Sequence, residues 1–244
     1  MMEMKRIAIL IAHLGNGGAE RVSVNLANGF TNMGYEVHMV VFHNVEPEYK
    51  IDHRVIMHYL EGKDGKEKRV PVKIFRLRQI LAEIAPDGII ELGFAIKYIL
   101  IGGILNKYNF ILSMRNDPVM WNKQSKSVFK YFRNYYFSHA KYVVFQTEDA
   151  KNYFKKGIRD KGVVIPNMIK EDLPVPYSGE REKVVVTFCR LNRQKNIPMM
   201  LKAFKIFSDS HPEYLLKIYG RGEEENNLKQ YAESIGIAEK VQFC

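Results

Sequence analysis

The segment from Arg6 to Phe42 constrains the fold more than any other. Arg6-Ile7-Ala8-Ile9-Leu10-Ile11 is a continuous apolar run too short for a helix, as expected of a strand buried on both faces of a parallel sheet. It ends in the glycine-rich His13-Leu14-Gly15-Asn16-Gly17-Gly18-Ala19-Glu20. Val22, Leu26 and Phe30 then recur at helical spacing, Gly34 supplies a stop signal, and Val37 to Phe42 reads as the next strand. In such a strand-loop-helix-strand unit the glycines let the backbone approach a phosphate or a partner domain, and the helix N-terminus adds a favourable field for an anion. A dinucleotide fingerprint does not fit, because Glu20 stands at the third glycine position and no acidic residue ends the second strand. No Gly-Lys-Ser/Thr of a P-loop occurs. His13 is a candidate base, although a lone histidine at a strand end is more often structural.

The same grammar continues along the chain. Residues 71–84 place Val72, Phe75, Leu77, Ile80, Leu81 and Ile84 among Lys73, Arg76 and Arg78, a basic amphipathic helix that can face a core or a membrane interface. Short strands are expected at 87–92, 109–113 and 142–147, with a helix over 95–107 between the first two and a capped helix opening at Thr147. Ser113-Met114-Arg115-Asn116-Asp117-Pro118 gathers polar groups at a strand's carboxyl end, where open α/β sheets build their sites. From Trp121 to Lys141 aromatic and basic residues interleave, which suits nucleobases, a headgroup layer, or a core stripe with a solvated basic face. Phe129, Phe132 and Tyr136 are assigned to the core. After Ile165-Pro166-Asn167, residues 172–179 are rich in breakers. These features divide the chain into an amino-terminal Rossmann-like domain over 1–170, a linker over 171–182 and a carboxyl-terminal segment over 183–244.

Val184-Val185-Val186-Thr187-Phe188-Cys189 is another buried-strand run, followed by Arg190, Lys195 and a helix start at Asn196-Ile197-Pro198. Two cations on a loop beyond a strand's carboxyl end and beside a helix N-terminus could clamp one diphosphate. The spacing alone fits solvated loop charges equally well.

Charge narrows the partners. The chain carries 37 Lys and Arg against 27 Asp and Glu, a net of +10. Residues 1–170 hold 26 of the cations and 16 of the acids, so the whole excess lies there. An anionic partner follows: nucleic acid, a membrane surface or a phosphorylated acceptor. The longest apolar stretch, near Tyr98 to Leu105, is too short to span a bilayer, and the two cysteines offer neither a disulfide framework nor metal spacing. A cytoplasmic setting is expected.

Taken in order, the strings Ile9 to Glu20, Ser113 to Pro118, Ile165 to Asn167, Cys189 to Asn196 and Ile218-Tyr219-Gly220-Arg221-Gly222 resemble the family 4 glycosyltransferases, most closely bacterial members that build surface polysaccharides or glycans on a lipid diphosphate. The resemblance implies an α/β, GT-B-like fold with one complete Rossmann-like domain that receives the acceptor, and the first part of a second that binds the donor. It implies retaining hexosyl transfer from a nucleotide-diphosphate sugar to a lipid-linked or saccharide acceptor, without a metal or other cofactor. Arg190 and Lys195 match its diphosphate clamp, Gly17 and Gly18 its loop over the donor phosphates. Arg115 takes the place near the anomeric centre where many members have histidine, and Cys189 stands where glycine is usual. The family pattern continues past Cys244, so a carboxyl-terminally truncated form with an impaired donor site and little turnover is expected, peripheral on the inner face of the membrane. A non-catalytic docking homologue is the alternative, and a basic nucleic-acid-binding module ranks last, since no helix-turn-helix or RNA-recognition signature occurs.

Overall fold

The computed structural model describes residues 5–15, 17–61, 69–124, 127–168 and 173–244. The chain forms two compact units, residues 1–171 and 172–244.

In the first unit the elements run β1 (Arg6–Ile11), α1 (Gly18–Asn32), β2 (Glu36–Val41), β3 (Ile56–Tyr59), α2 (Val70–Ile84), β4 (Gly88–Glu91), α3 (Ile96–Ile101), β5 (Phe110–Met114), α4 (Pro118–Gln124), α5 (Ser127–His139), β6 (Tyr142–Phe145), α6 (Glu148–Asn152), α7 (Lys156–Arg159) and β7 (Gly162–Val164). The strands form one parallel sheet in the order β3-β2-β1-β4-β5-β6-β7. The mainly apolar runs of β1, β2 and β4 are interior strands, as expected of strands covered on both faces, with His38 in β2 and Glu91 at the end of β4 as buried polar exceptions. Edge strand β3, with Ile56 and Tyr59 exposed, carries too short a pattern to stand out in the sequence. Chain order reverses between β1 and β4, so the crevice of such a sheet opens beyond their carboxyl ends. Leu77, Leu81, Tyr98, Ile99, Tyr136, Phe137, Phe154 and Ile158 bury one sheet face under α2, α3 and α5 to α7. Val24 and Ala27 of α1 pack on the other.

Three helical expectations change. The helix after β4 spans only Ile96–Ile101, because the chain turns at Gly102-Gly103, where Gly103 is left-handed (φ 62°). In α5 the buried stripe is Arg133, Tyr136, Phe137 and Ala140, spaced i, i+3, i+4 and i+7. Phe132, expected in the core, lies off that stripe and is 52% exposed, and the Phe129 side chain lies outside the described residues. Arg133 is buried because its guanidinium stacks on Trp121 (4.7 Å) and Phe154 (4.8 Å), with Tyr153 at 5.9 Å. Burial draws its pKa down from the usual guanidinium value.

The third change concerns Lys73 of α2. Of the cations on the amphipathic helix that can face a core or a membrane interface, it takes the core side: it is 1% exposed, and its ammonium lies 2.8 Å from Glu61 Oε1 and 3.1 Å from His43 Nδ1. Leu77 is likewise buried, and Arg76 donates to the Leu60 carbonyl. Lys66 and Lys68 fall outside the described residues.

The second unit contains β8 (Val184–Phe188), a 3-10 turn (Arg193–Lys195), α8 (Ile197–Ser210), β9 (Leu215–Tyr219), α9 (Glu225–Ser234) and β10 (Val241–Phe243), with parallel strand order β10-β9-β8. Helices α8 and α9 bury Leu201, Phe204, Leu216, Ile218 and Leu228. The other sheet face is open at Val186 and at Phe188, which is 77% exposed and stacks on Tyr219. Phe188 is thus left without covering neighbours, whereas Phe204 and Ile218 are buried in the helix-covered core and Leu215 is half-buried.

Candidate active site

Because every strand of the first sheet is parallel, one edge collects all the carboxyl ends. At β1 the chain leaves through His13, whose Nδ1 accepts the Gly15 N–H (3.2 Å). That bond leaves the neutral ring's proton on Nε2, which lies 3.6 Å from Glu20 Oε1. His13 thus shapes the loop into α1. The Glu20 carboxylate folds back over the loop: a Cβ on Gly17 would lie 2.0 Å from its Oε2, so a side chain there would push the carboxylate aside. Gly18 differs. It is exposed, has no positive φ, and a Cβ there would meet nothing within 4 Å. Packing does not demand glycine at Gly18, and open space stands before the first turn of α1.

At β4 the Glu91 side chain is buried and accepts the N–H groups of Phe94 (2.5 Å) and Ala95 (2.6 Å), with the Tyr136 hydroxyl donating at 3.4 Å. These bonds build the turn into α3. Burial pushes its pKa above the usual carboxylate value despite them.

At β5, β6 and β7 three side chains converge. Arg115 Nη2 donates to Asn167 Oδ1 (2.7 Å), and Gln146 Nε2 lies 2.8 Å from the same oxygen. With the Gln146 amide turned over, its oxygen accepts from Arg115 Nη2 (3.2 Å) and its nitrogen donates to the Arg115 carbonyl (3.3 Å). Either orientation pins the guanidinium. Burial lowers the Arg115 pKa, opposed by the nearby Glu20 carboxylate, but a guanidinium so placed stays charged. Beneath it a cavity of about 250 Å³ opens between Val22, Leu26 and Phe30 of α1 and the sheet, with Ser113 and Arg115 at its polar end. The Ser113 hydroxyl is buried there without a partner among the described residues. Sequence reasoning singled out Arg115 but gave no role to Gln146 or Asn167, each lying just beyond a strand's carboxyl end.

In the second unit Arg190 follows β8 and Lys195 closes the 3-10 turn before α8, whose cap Asn196 is left-handed (φ 45°). Both side chains are exposed, and among the described residues neither head group has a hydrogen-bond or ion-pair partner. Arg193 between them is engaged instead, at 3.3 Å from Glu224. The Asn192 side-chain oxygen is buried without a hydrogen-bond partner among the described residues. The loop is held from β9: Leu191 N–H donates to the Arg221 carbonyl and Glu224 N–H to the Leu191 carbonyl. A Cβ on Gly220 would stand 1.9 Å from the Cys189 carbonyl oxygen, and one on Gly222 2.2 Å from that of Leu191. Only glycine permits this approach. The Cys189 side chain packs against the helix-covered core, away from that contact.

A seven-stranded parallel Rossmann-like sheet with Arg115, Gln146 and Asn167 gathered beyond its strand carboxyl ends, and a second parallel α/β unit, are an architecture of the GT-B type. The solved structure of Anabaena HepE in complex with UDP and glucose has this fold, with a TM-score of 0.72 at 14% identity, covering 98% of this chain and 68% of that one. Residues 16–173 match Glycosyltransferase Family 4, and residues 169–244 match Glycosyl transferases group 1. The chain therefore belongs to Glycosyltransferase Family 4. It is 25% identical to an uncharacterized glycosyltransferase of Haemophilus influenzae, across 98% of this chain and 69% of the relative. It is 28% identical to the GalNAc-alpha-(1->4)-GalNAc-alpha-(1->3)-diNAcBac-PP-undecaprenol alpha-1,4-N-acetyl-D-galactosaminyltransferase of Campylobacter jejuni, across 98% of this chain and 67% of that enzyme.

Proposed function

We propose that this glycosyltransferase moves a hexosyl group from a nucleoside-diphosphate sugar to a saccharide carried on a lipid diphosphate, with retention at the anomeric carbon, in cell-surface polysaccharide assembly. The observation that carries the donor half is the pair of cations, Arg190 and Lys195, exposed and without a partner among the described residues, flanking the loop before α8. The leaving group is a nucleoside diphosphate, so neutralising its developing charge is the main catalytic task. Two free cations beside a helix N-terminus suit that task better than an apolar pocket would. In this reading residues 183–244 bind the donor, residues 1–170 receive the acceptor, and 171–182 join them. Gly17 and Gly18 offer backbone to the donor phosphates, which the open space before Gly18 would admit. Arg115, held by Asn167 and Gln146, is the cation assigned to the reacting centre. The lipid-linked acceptor is favoured by the Campylobacter jejuni relative and the UDP donor by the HepE complex.

Among the described residues no helix is long and apolar enough to cross a membrane. We place the protein in the cytoplasm, peripheral on the inner membrane face, on the strength of the positive excess in residues 1–170. Calorimetric titration with UDP and GDP tests the donor site. Replacing both Arg190 and Lys195 by alanine should abolish the binding detected, since each charge-assisted contact contributes roughly 1.5 to 3 kcal/mol. Unchanged affinity in the double variant would show that the clamp lies elsewhere.

A further inference from the structure

Helix α2 turns Lys73, Leu77, Leu81 and Ile84 inward. Its opposite stripe faces solvent and carries, beside the exposed Gln79 and Glu83, two apolar side chains: Val72 is 42% and Phe75 62% exposed. Ile101, the last residue of α3, is 70% exposed beside it. Between the two helices runs an open groove of about 830 Å³ with Val70, Ile74 and Ile104 in its wall. The groove is prebuilt. Gly102 brings the helices together, since a Cβ there would stand 3.3 Å from Ile74 Cγ2, and Arg78 Nη1 donates to the Gly102 carbonyl (3.2 Å).

Scattered apolar side chains on a surface need no explanation, but an aromatic and an aliphatic anchor around one groove do. Charge identifies what covers them. The groove is lined by two cations, Arg78 and Lys107, and by no carboxylate; Arg69 caps the start of α2. It belongs to the unit that carries the chain's whole positive excess. An occupant apolar in depth and anionic at its surface answers both features, and an anionic bilayer is such a surface.

We propose that the α2–α3 face seats on an anionic membrane, with Phe75 and Ile101 entering the acyl boundary while Arg69, Arg78 and Lys107 meet lipid phosphates. This deepens the reading of a lipid-carried acceptor by naming the surface that meets the lipid, a surface to which the buried Lys73 and Leu77 do not contribute. Insertion makes a demand that charge attraction alone does not: apolar substitutions must matter as much as charged ones.

The test uses the full chain with vesicles of phosphatidylcholine alone and of phosphatidylcholine mixed with phosphatidylglycerol. Wild type should bind the mixed vesicles, and Phe75→Ser/Ile101→Ser should bind them about tenfold or more weakly. Met33→Ser, an equally exposed apolar site at the end of α1, should bind as wild type. In Phe75→Trp, emission should shift to the blue on adding mixed vesicles, read against the native Trp121 signal. Equal binding by the serine double variant and wild type, or no spectral shift, overturns the proposal. So does a self-associated state dissolved by the same double variant, which would make the face a contact between copies. Nucleotide calorimetry on the double variant separates the two readings, because donor binding should be untouched whether or not docking survives.

Discussion

The buried pair Lys73–Glu61, with the half-buried His43 beside it, allows a stability prediction with a worked magnitude. Lys73 and Glu61 are 1% and 4% exposed, and Glu61 also accepts the Asn44 N–H at 2.9 Å. At 2.8 Å, an attraction of about 6 kcal/mol at an effective dielectric near 20 is set against the cost of removing both ions from water. The pair's net contribution is therefore small, while breaking it is expensive. Lys73→Met leaves a carboxylate buried with only the His43 ring and one N–H, and should destabilise the first unit by about 3–5 kcal/mol. Lys73→Met/Glu61→Gln removes both charges and should recover most of that loss, to within about 1 kcal/mol of wild type. Burial raises the Glu61 pKa, but Lys73, the Asn44 N–H and His43 together bring it below the ordinary value of 4.5. A depressed carboxylate stabilises above its unfolded pKa, so wild type should lose this contribution as pH falls below that value, and the double variant should not. Denaturant unfolding followed by Trp121 fluorescence reads the first unit alone, because Trp121 is the chain's sole tryptophan. A single variant within 1 kcal/mol of wild type, or a double variant no better than the single, would refute the reasoning.

Two further outcomes follow from the site geometry. Glu91 is the opposite case: its pKa is raised by burial, so wild type loses stability as pH rises through the native value, and Glu91→Gln, which keeps the acceptor oxygen, should gain on wild type over that range; parallel unfolding curves across pH would contradict this. Gly222→Ala places a Cβ 2.2 Å from the Leu191 carbonyl oxygen, so the loop carrying Arg190 and Lys195 must move, and nucleotide affinity should fall while α9 amides stay protected from hydrogen exchange; wild-type affinity would show that the loop tolerates the shift.

Much of the sheet was readable because its strands are buried on both faces. Short apolar runs such as Ile7 to Ile11, and Val37 to Val41 interrupted only by His38, are the signature of strands covered on both faces. Edge strand β3 escaped notice because half-exposed Ile56 to Tyr59 has no such signature. Helix faces failed for a related reason. In α2 and α5 the residues most deeply buried include Lys73 and Arg133, whose charges are answered by Glu61 and by a stack of aromatic rings distant in sequence. A periodicity that counts only apolar residues rotates the stripe by one position, which is how Phe132 was assigned inward.

The candidate site shows the same division between what is local and what is assembled. Arg115, Arg190, Lys195 and the glycine pair stand out because each sits at the junction of an apolar run and a turn, a position visible without coordinates. Their supports do not. Asn167 lies 52 residues from the arginine it holds, and Gly222 stands against Leu191 only because β8 and β9 are neighbours. A sheet of parallel strands brings every junction to one edge, so reactive groups can be read one strand at a time, whereas what positions them depends on strand order. Arg115 makes the point testable in principle: its charge is written in one residue, but its orientation is written in three strands.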